Sequence, residues 1–206
     1  LALVTGNIGK EGGGLYPMLR GANDQGGWDM GCLPGRLPGN RLIGDDAARR
    51  GIEGLWNCTL PAGPGLDLAQ AKPGETGNVR AMLVIGDGPG GWEDLEFLAV
   101  HATHLGPMAQ RADVVLPRVT FAEKDGTFTN LERRIQILHP AIDPGARRDP
   151  AAGSRLDRWP QGRPESWLIC ELANRMGAPG FQFESTAQIM DEIARAAPIY
   201  GGLSHK

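Results

Sequence analysis

Residues with the capacity for chemistry are concentrated in a polar segment, 121–134, near the middle of the chain. This segment contains both signs of charge, two threonines, an asparagine and a glycine, which is more hydrogen-bonding capacity than a simple connection requires. It follows a short apolar run, 114–116, that ends at Pro117 and is typical of a buried strand. Open α/β sheets bind ligands at the carboxyl ends of such strands. The candidate binding residues are Gly126, Thr127, Asn130, Glu132 and Arg133.

A second candidate is the glycine-rich stretch 12–31, for which two interpretations remain open. It is either a surface loop rich in turn formers or a cradle whose backbone amides approach an anionic ligand. Arg20 would supply a planar guanidinium for that anion, with Gly21 and Asn23 beside it. Residue types alone do not choose between these two interpretations.

Two further pairs of residues carry weaker signals. Gly86 and Asp87 follow an apolar run, which is a weak dinucleotide-binding signal because turn formers follow most strands. His101 and His104 are spaced to share a metal on a helix, but no third ligand with suitable spacing lies near them. We therefore interpret these histidines as capping or packing residues and predict no metal site.

The elements that must position these residues are short apolar runs, each with a polar segment at its end. The runs at 79–85, 97–100 and 114–116 predict a mainly parallel, doubly wound α/β sheet in a loop-rich chain. The strands that end at Gly86, His101 and Pro117 should lie side by side. We therefore expect Arg20, Gly86, Asp87, Gly126, Thr127, Asn130 and Glu132 to converge on one crevice.

Helical patterns and turn residues complete the outline. Predicted helices cover 45–56 with Asp45 as cap, a single turn at 107–111, then 165–176, and 186–196 with Ser185 as cap. Residues 1–4 are predicted to end a helix, and a further strand is predicted to end near 138. The chain divides into a glycine-rich loop region with a surface excursion, 1–78, and an α/β dinucleotide-binding-like core with C-terminal helices, 79–206.

Composition excludes several functional classes. A net charge of -3 gives no reason to expect nucleic acid or an anionic membrane as a partner, and no apolar run approaches the ~20 residues of a membrane span. The three cysteines are far apart, so neither a disulfide framework nor a set of iron–sulfur ligands is predicted, and a reduced, cytoplasmic setting is favoured. Because the chain opens without methionine inside an apolar stretch, we expect a fragment of a longer polypeptide.

The order of these motifs resembles the large subunits of the molybdopterin-dinucleotide oxidoreductase superfamily. The run from Ala112 to Pro117 and the segment from Glu123 to Arg133 are similar to a strand and loop beside the cofactor in that superfamily. Arg20, Gly21, Asn23, Gln25 and 29–31 resemble a formate dehydrogenase loop whose arginine stands beside the metal. Ala22 replaces the glutamine usual there, and the loop is one residue shorter.

Two branches of the superfamily compete. The short 86–96 crossover and the His101 to Leu105 sequence look more like the G subunit of respiratory complex I, the NADH-quinone oxidoreductase, and favour that interpretation. The alternative is the catalytic alpha subunit of a molybdenum formate dehydrogenase, in which Arg20 would orient formate. A third alternative, from another class, is a non-catalytic structural or interaction module.

The resemblance also implies cofactors and partners. Molybdopterin guanine dinucleotide would contact Gly21, Asn23, Gly86, Asp87, Gly126, Thr127, Asn130, Glu132 and Arg133, at a site that is vestigial under the complex I interpretation. Iron–sulfur clusters would lie in an N-terminal region outside this sequence. The partners would be other subunits of a redox complex that attach it to the inner membrane, on the cytoplasmic side, without direct insertion of this segment.

Overall fold

The computed structural model describes residues 1–19, 21–68, 70–72, 79–88, 91–92, 95–142 and 162–205. Arg20, the candidate catalytic residue, lies outside the described residues. Within these ranges the helices are α1 (Asp24–Asp29), α2 (Asp46–Trp56), α3 (Pro107–Arg111), α4 (Glu165–Arg175) and α5 (Thr186–Ala196). The strands are β1 (Arg36–Leu37), β2 (Arg41–Leu42), β3 (Ala81–Ile85), β4 (Phe97–Ala102), β5 (Val114–Pro117), β6 (Gly126–Thr129) and β7 (Ile135–Leu138).

The central sheet is parallel, in the order β3-β4-β5. Ile85 pairs with His101, and His101 pairs with Leu116, so the three strands end at the same edge. This confirms the prediction that the strands ending near Gly86, His101 and Pro117 lie side by side. Strand β4 continues two residues beyond the predicted 97–100 because His101 and Ala102 still pair with β5 despite the polar side chain.

One face of this sheet is closed by the single turn of α3. Leu98, Val100 and Ala102 project from β4 against Ala109, and all four side chains are buried. The helix begins with Pro107, whose fixed φ suits the first helical position. This packing holds the central strand β4 in place, and with it the edge at which the candidate residues lie.

Most of the polar segment 121–134 is a hairpin rather than the loop that the sequence predicts. Strands β6 and β7 pair antiparallel, with Gly126 opposite Leu138 and Thr129 opposite Ile135. At the tip, Asn130 Oδ1 accepts hydrogen bonds from the backbone N–H groups of Glu132 and Arg134. Arg133 takes a left-handed backbone, φ 58°. The loop prediction was wrong because the Asn130 side chain organises a tight turn and cross-strand pairing outweighs the weak strand propensity of glycine and threonine.

The helix predictions agree closely with the structure, with one exception. Asp45 caps α2 by accepting hydrogen bonds from Ala47 and Ala48, and Ser185 caps α5. Helix α4 ends at Arg175, one residue before the predicted end. Residues 1–4 form hydrogen-bonded turns instead of a full helix, and they have the hydrogen bonds of a helix end. The N–H groups of Gly6 and Asn7 donate to the Leu3 and Ala2 carbonyls, with Gly6 at φ 66°, which is the pattern that terminates helices at a left-handed glycine.

Contacts connect the glycine-rich region to the C-terminal helices. The guanidinium of Arg41 donates to the Ala196 carbonyl at 2.8 Å, and the Trp56 indole donates to Glu192 at 3.0 Å. The division of the chain at residue 78 stays a prediction. Within the described ranges, no helix is long and apolar enough to cross a membrane.

Candidate functional site

The carboxyl edge of the parallel sheet brings Gly86 close to Arg118. Gly86 has φ 90°, a conformation that favours glycine, and its N–H donates to the His101 carbonyl at 2.9 Å. A Cβ at Gly86 would lie 3.6 Å from Nη1 of Arg118, which directly follows β5. The predicted loop after β3 and the residue after β5 therefore form one continuous surface.

Three charged side chains form an ion cluster beside this surface: Arg118, Lys124 and Glu165. Arg118 Nε donates to Glu165 Oε1 at 2.6 Å, and Lys124 Nζ lies 2.6 and 2.7 Å from the two carboxylate oxygens. Burial alone would raise the pKa of Glu165, but hydrogen bonds from Lys124 and Arg118 outweigh it and hold this pKa below its ordinary value. The cluster joins the sheet edge to α4.

A cavity of about 380 Å³ opens between the hairpin, α5 and the first turn of α4. Three of the predicted binding residues, Asn23, Gly126 and Thr127, line it, together with Lys124. The apolar part of its wall comes from Met30, Phe128, Leu138, Ile189, Met190 and Ile193. Thr127 Oγ1 also shares a hydrogen bond of 2.6 Å with Nε2 of His205. This volume is large enough for a small molecule or part of a larger cofactor.

Asp87 lines a second cavity, of about 450 Å³, under the sheet edge. Its other walls include Trp92, Met108 and Arg111, and its rim carries His104, whose Nε2 lies 3.8 Å from Asp87 Oδ1. The two cavities share no lining residue. Glu165 and Lys124 line the first cavity, and Glu165 also binds Arg118. Gly86 directly precedes Asp87, which lines the second cavity. That all the predicted residues face one crevice stays a prediction.

Helix α1 is held at its C-terminal end by a buried carboxylate. The Asp29 side chain is fully buried and accepts a hydrogen bond from Gln25 Nε2 at 3.0 Å and one from the Tyr200 hydroxyl at 3.3 Å. Arg133 Nη2 lies 3.3 Å from Asp29 Oδ1. Burial, and then the nearby Asp29 charge, raise the pKa of Tyr200 above its ordinary value. Asp29 therefore joins α1 to the hairpin tip and to the C-terminal segment.

The N-terminal end of α1 is held by Asn23, whose Oδ1 accepts a hydrogen bond from the Thr129 backbone at 2.8 Å. Thr129 Oγ1 in turn shares a 2.7 Å hydrogen bond with the Tyr200 hydroxyl. At the hairpin tip Glu132 pairs with Arg134 on the surface. Asn23, Asn130, Glu132 and Arg133 thus have their side chains engaged within the protein, and their assignment as cofactor ligands stays a prediction.

His101 is a buried histidine at the carboxyl end of β4. Its side chain is 1% exposed, and neither ring nitrogen has a hydrogen-bond partner in the described part of the chain. Burial lowers the pKa of His101, with the Glu165 charge and the nearby backbone of Arg163 and Pro117 opposing that effect. The described ranges contain no cluster of three or more histidine, cysteine or acidic side chains suited to a metal.

Sequence reasoning did not select Arg118, Glu165 or Tyr200 as site residues. Glu165 lies 47 residues from Arg118 and 41 from Lys124 along the chain, so no local pattern indicates the pairing. Of these three residues, Arg118 is the one that the sequence could have indicated as a site residue, because it directly follows the predicted strand end at Pro117. The role of Tyr200 depends on a contact across 171 residues with Asp29.

Comparison with known proteins assigns the chain to a family. Residues 1–149 match the sequence profile of the family described as "Molybdopterin oxidoreductase". The whole chain is 37% identical to the "Probable oxidoreductase YjgC" of Bacillus subtilis, of which it covers 21%. It is 35% identical over its full length to the "F420-dependent formate dehydrogenase subunit alpha" of Methanocaldococcus jannaschii. It is 38% identical over 99% of its length to the "F420-dependent formate dehydrogenase 2 subunit alpha" of Methanococcus maripaludis.

The chain covers 30% of each of the two archaeal subunits, so it spans less than a third of the relatives that it matches. The family match itself extends over more than half of the chain and includes α1, the parallel sheet and the hairpin. Because this match covers more than half of the chain, the chain belongs to the molybdopterin oxidoreductase family.

Proposed function

We propose that the chain is a segment of the catalytic alpha subunit of a molybdenum formate dehydrogenase. The observation that carries this proposal is similarity over the whole chain to proteins named as formate dehydrogenase alpha subunits. The complex I interpretation rested on Ala22, the short crossover after β3 and the His101 to Leu105 sequence. These are local features of three short segments, and similarity over the full chain outweighs them.

The residues present fit an anionic cofactor with phosphate groups. A Cβ at Gly126 would meet no atom within 4 Å, and at Gly86 it would approach only the Arg118 guanidinium, so the backbone at both glycines is open to a ligand. Arg118 and Lys124 together carry two positive charges against the single negative charge of Glu165. Positive charge and open backbone are the features that phosphate-bearing groups require.

In this proposal Gly21, Gly86, Asp87, Gly126 and Thr127 would hold a molybdopterin guanine dinucleotide. The Asp87 carboxylate can accept hydrogen bonds from a sugar hydroxyl or a guanine N–H, and the Thr127 hydroxyl can donate or accept one. The redox chemistry would come from the molybdenum of this cofactor, since oxidation of formate to carbon dioxide and a proton releases two electrons. Iron–sulfur clusters that carry these electrons onward belong to other parts of the whole protein.

Arg20 has the catalytic role in this proposal. A guanidinium can bind both oxygens of formate. This bidentate contact fixes the orientation of the carboxylate, and therefore also the orientation of the formate C–H bond. The whole enzyme would act with other subunits, peripheral to the inner membrane on its cytoplasmic side.

The test is formate oxidation by the full-length, molybdenum-loaded protein, measured with an artificial electron acceptor. We expect Arg20→Ala to lower kcat/KM for formate by about 10²- to 10⁴-fold, with Arg20→Lys in between, because lysine keeps the charge but not the bidentate geometry. Arg50→Ala, at an exposed position of α2, is the control and should match wild type. Equal activity of the Arg20 and Arg50 variants would contradict the catalytic role.

A further inference from the structure

The two neighbouring arginines at the hairpin tip have different environments. Arg133 Nη2 lies 3.3 Å from the carboxylate of Asp29, whose side chain is fully buried. Arg134 instead pairs with Glu132, and both of these side chains are exposed. A pair between exposed side chains contributes little, whereas a charge next to a buried carboxylate has a larger effect on structure. Arg133 is therefore the member of the pair that connects the tip to the protein interior.

Asp29 and Asn23 occupy the two ends of α1, and both are bound to the hairpin. Asn23 accepts a hydrogen bond from the backbone of Thr129 in β6, and Asp29 contacts Arg133 just beyond β6. Tyr200 completes this set, because its hydroxyl contacts both Thr129 and Asp29. A six-residue helix is too short to be stable by itself, so these bonds determine where α1 lies.

Helix α1 in turn fixes the segment that precedes it. The Gly21 N–H donates to the Asp24 side chain at 3.0 Å, within the first turn of α1. Gly21 directly follows Arg20 in the sequence. A displacement of α1 would therefore move the Gly21 backbone.

We propose that Arg133 is a positioning residue that acts through Asp29 to hold α1, and with it the Gly21 to Asn23 segment, in the geometry needed for formate oxidation. This inference rests on the proposed function. It assigns to Arg133 a role in placing the substrate-binding segment instead of direct contact with the cofactor. A misplacement of about 1 Å at a reacting group can cost on the order of 10²-fold in rate.

The experiment compares Arg133→Met with Arg134→Met in the full-length, cofactor-loaded protein. Methionine keeps much of the side-chain length and removes the charge. The left-handed backbone at residue 133 is equally unfavourable for methionine and for arginine, so the substitution does not change the backbone strain. We expect Arg133→Met to lower kcat/KM for formate by about 10- to 100-fold, mainly through a higher KM. Arg134→Met should stay within about twofold of wild type, and Arg133→Lys should recover part of the loss.

Hydrogen exchange gives a readout that does not depend on activity. Amide exchange in the peptide covering 21–30 should accelerate at least about fivefold in Arg133→Met and remain unchanged in Arg134→Met. If both variants have the same kinetics and the same exchange, the positioning role is wrong. If wild type does not oxidise formate, the proposed function fails, and this inference fails with it; normal wild-type activity with an inert Arg133→Met overturns this inference alone.

Discussion

At the scale of single residues, the site depends on charges that are partly buried and satisfy one another. Glu165 is the clearest case, because a single carboxylate binds both Lys124 and Arg118. Removing one member of such a cluster leaves the others with uncompensated charge in a poorly hydrated environment, which costs more than the net contribution of the pairs. Asp29 has the same function for α1. These two acidic residues organise the cleft, although neither is a predicted cofactor ligand.

Glu165→Gln should therefore weaken the junction between the sheet edge and α4. We expect the free energy of local opening at the first turn of α4, measured by hydrogen exchange, to fall by about 2 kcal/mol. The matched control is Glu171→Gln on the same helix, where Glu171 pairs with the exposed Arg175. That change should cost no more than about 0.5 kcal/mol. Equal effects of the two substitutions would contradict the importance of the ion cluster.

The elements show which features a sequence can reveal. Strands β3, β4 and β5 were predictable because each is an apolar run bounded by turn residues, and α2 and α5 because polar caps precede periodic patterns. The hairpin could not be predicted from the sequence, because Gly126 and Thr127 resemble loop residues and form a strand only by pairing with β7. The contacts of Glu165 and Tyr200 could not be predicted from the sequence either, because their partners lie 41 to 171 residues away along the chain.

Strand β4 should have a measurable dependence on pH through His101. Because burial lowers the pKa of His101, the unfolded imidazole binds a proton at a pH where the buried ring does not. The histidine in the unfolded chain has a pKa of about 6.5. The free energy of local unfolding of β4 should therefore be highest above this pH and should fall as the pH drops below it. Hydrogen exchange of β4 amides between pH 7.5 and 5.5 measures this decline.

The matched variants are His101→Leu and His104→Leu. Leucine of similar volume at position 101 removes two buried ring nitrogens without hydrogen-bond partners, so it should abolish the pH dependence and cost little or no stability at pH 6. His104 is exposed, and its replacement should keep the dependence. A pH dependence that survives in His101→Leu would show that another group is responsible.

At the scale of the whole molecule, the proposed role of the chain is to form part of the cofactor site of a longer enzyme. It spans between 21% and 30% of the three relatives named above. Its cysteines, Cys32, Cys58 and Cys170, are all free, and within the described ranges no cluster suited to a metal is present. In the proposed enzyme, electrons from formate leave this segment toward clusters and subunits held elsewhere.

The central claim is that the whole protein oxidises formate, and the most direct test is the release of labelled carbon dioxide from ¹³C-formate by the purified, molybdenum-loaded, full-length protein. We predict release that is proportional to enzyme and reduced by at least about 10²-fold in Arg20→Ala. The parallel measurement is NADH-dependent reduction of a quinone by the same preparation. No release of labelled carbon dioxide, together with NADH-dependent quinone reduction, would contradict the dehydrogenase assignment and support the complex I interpretation.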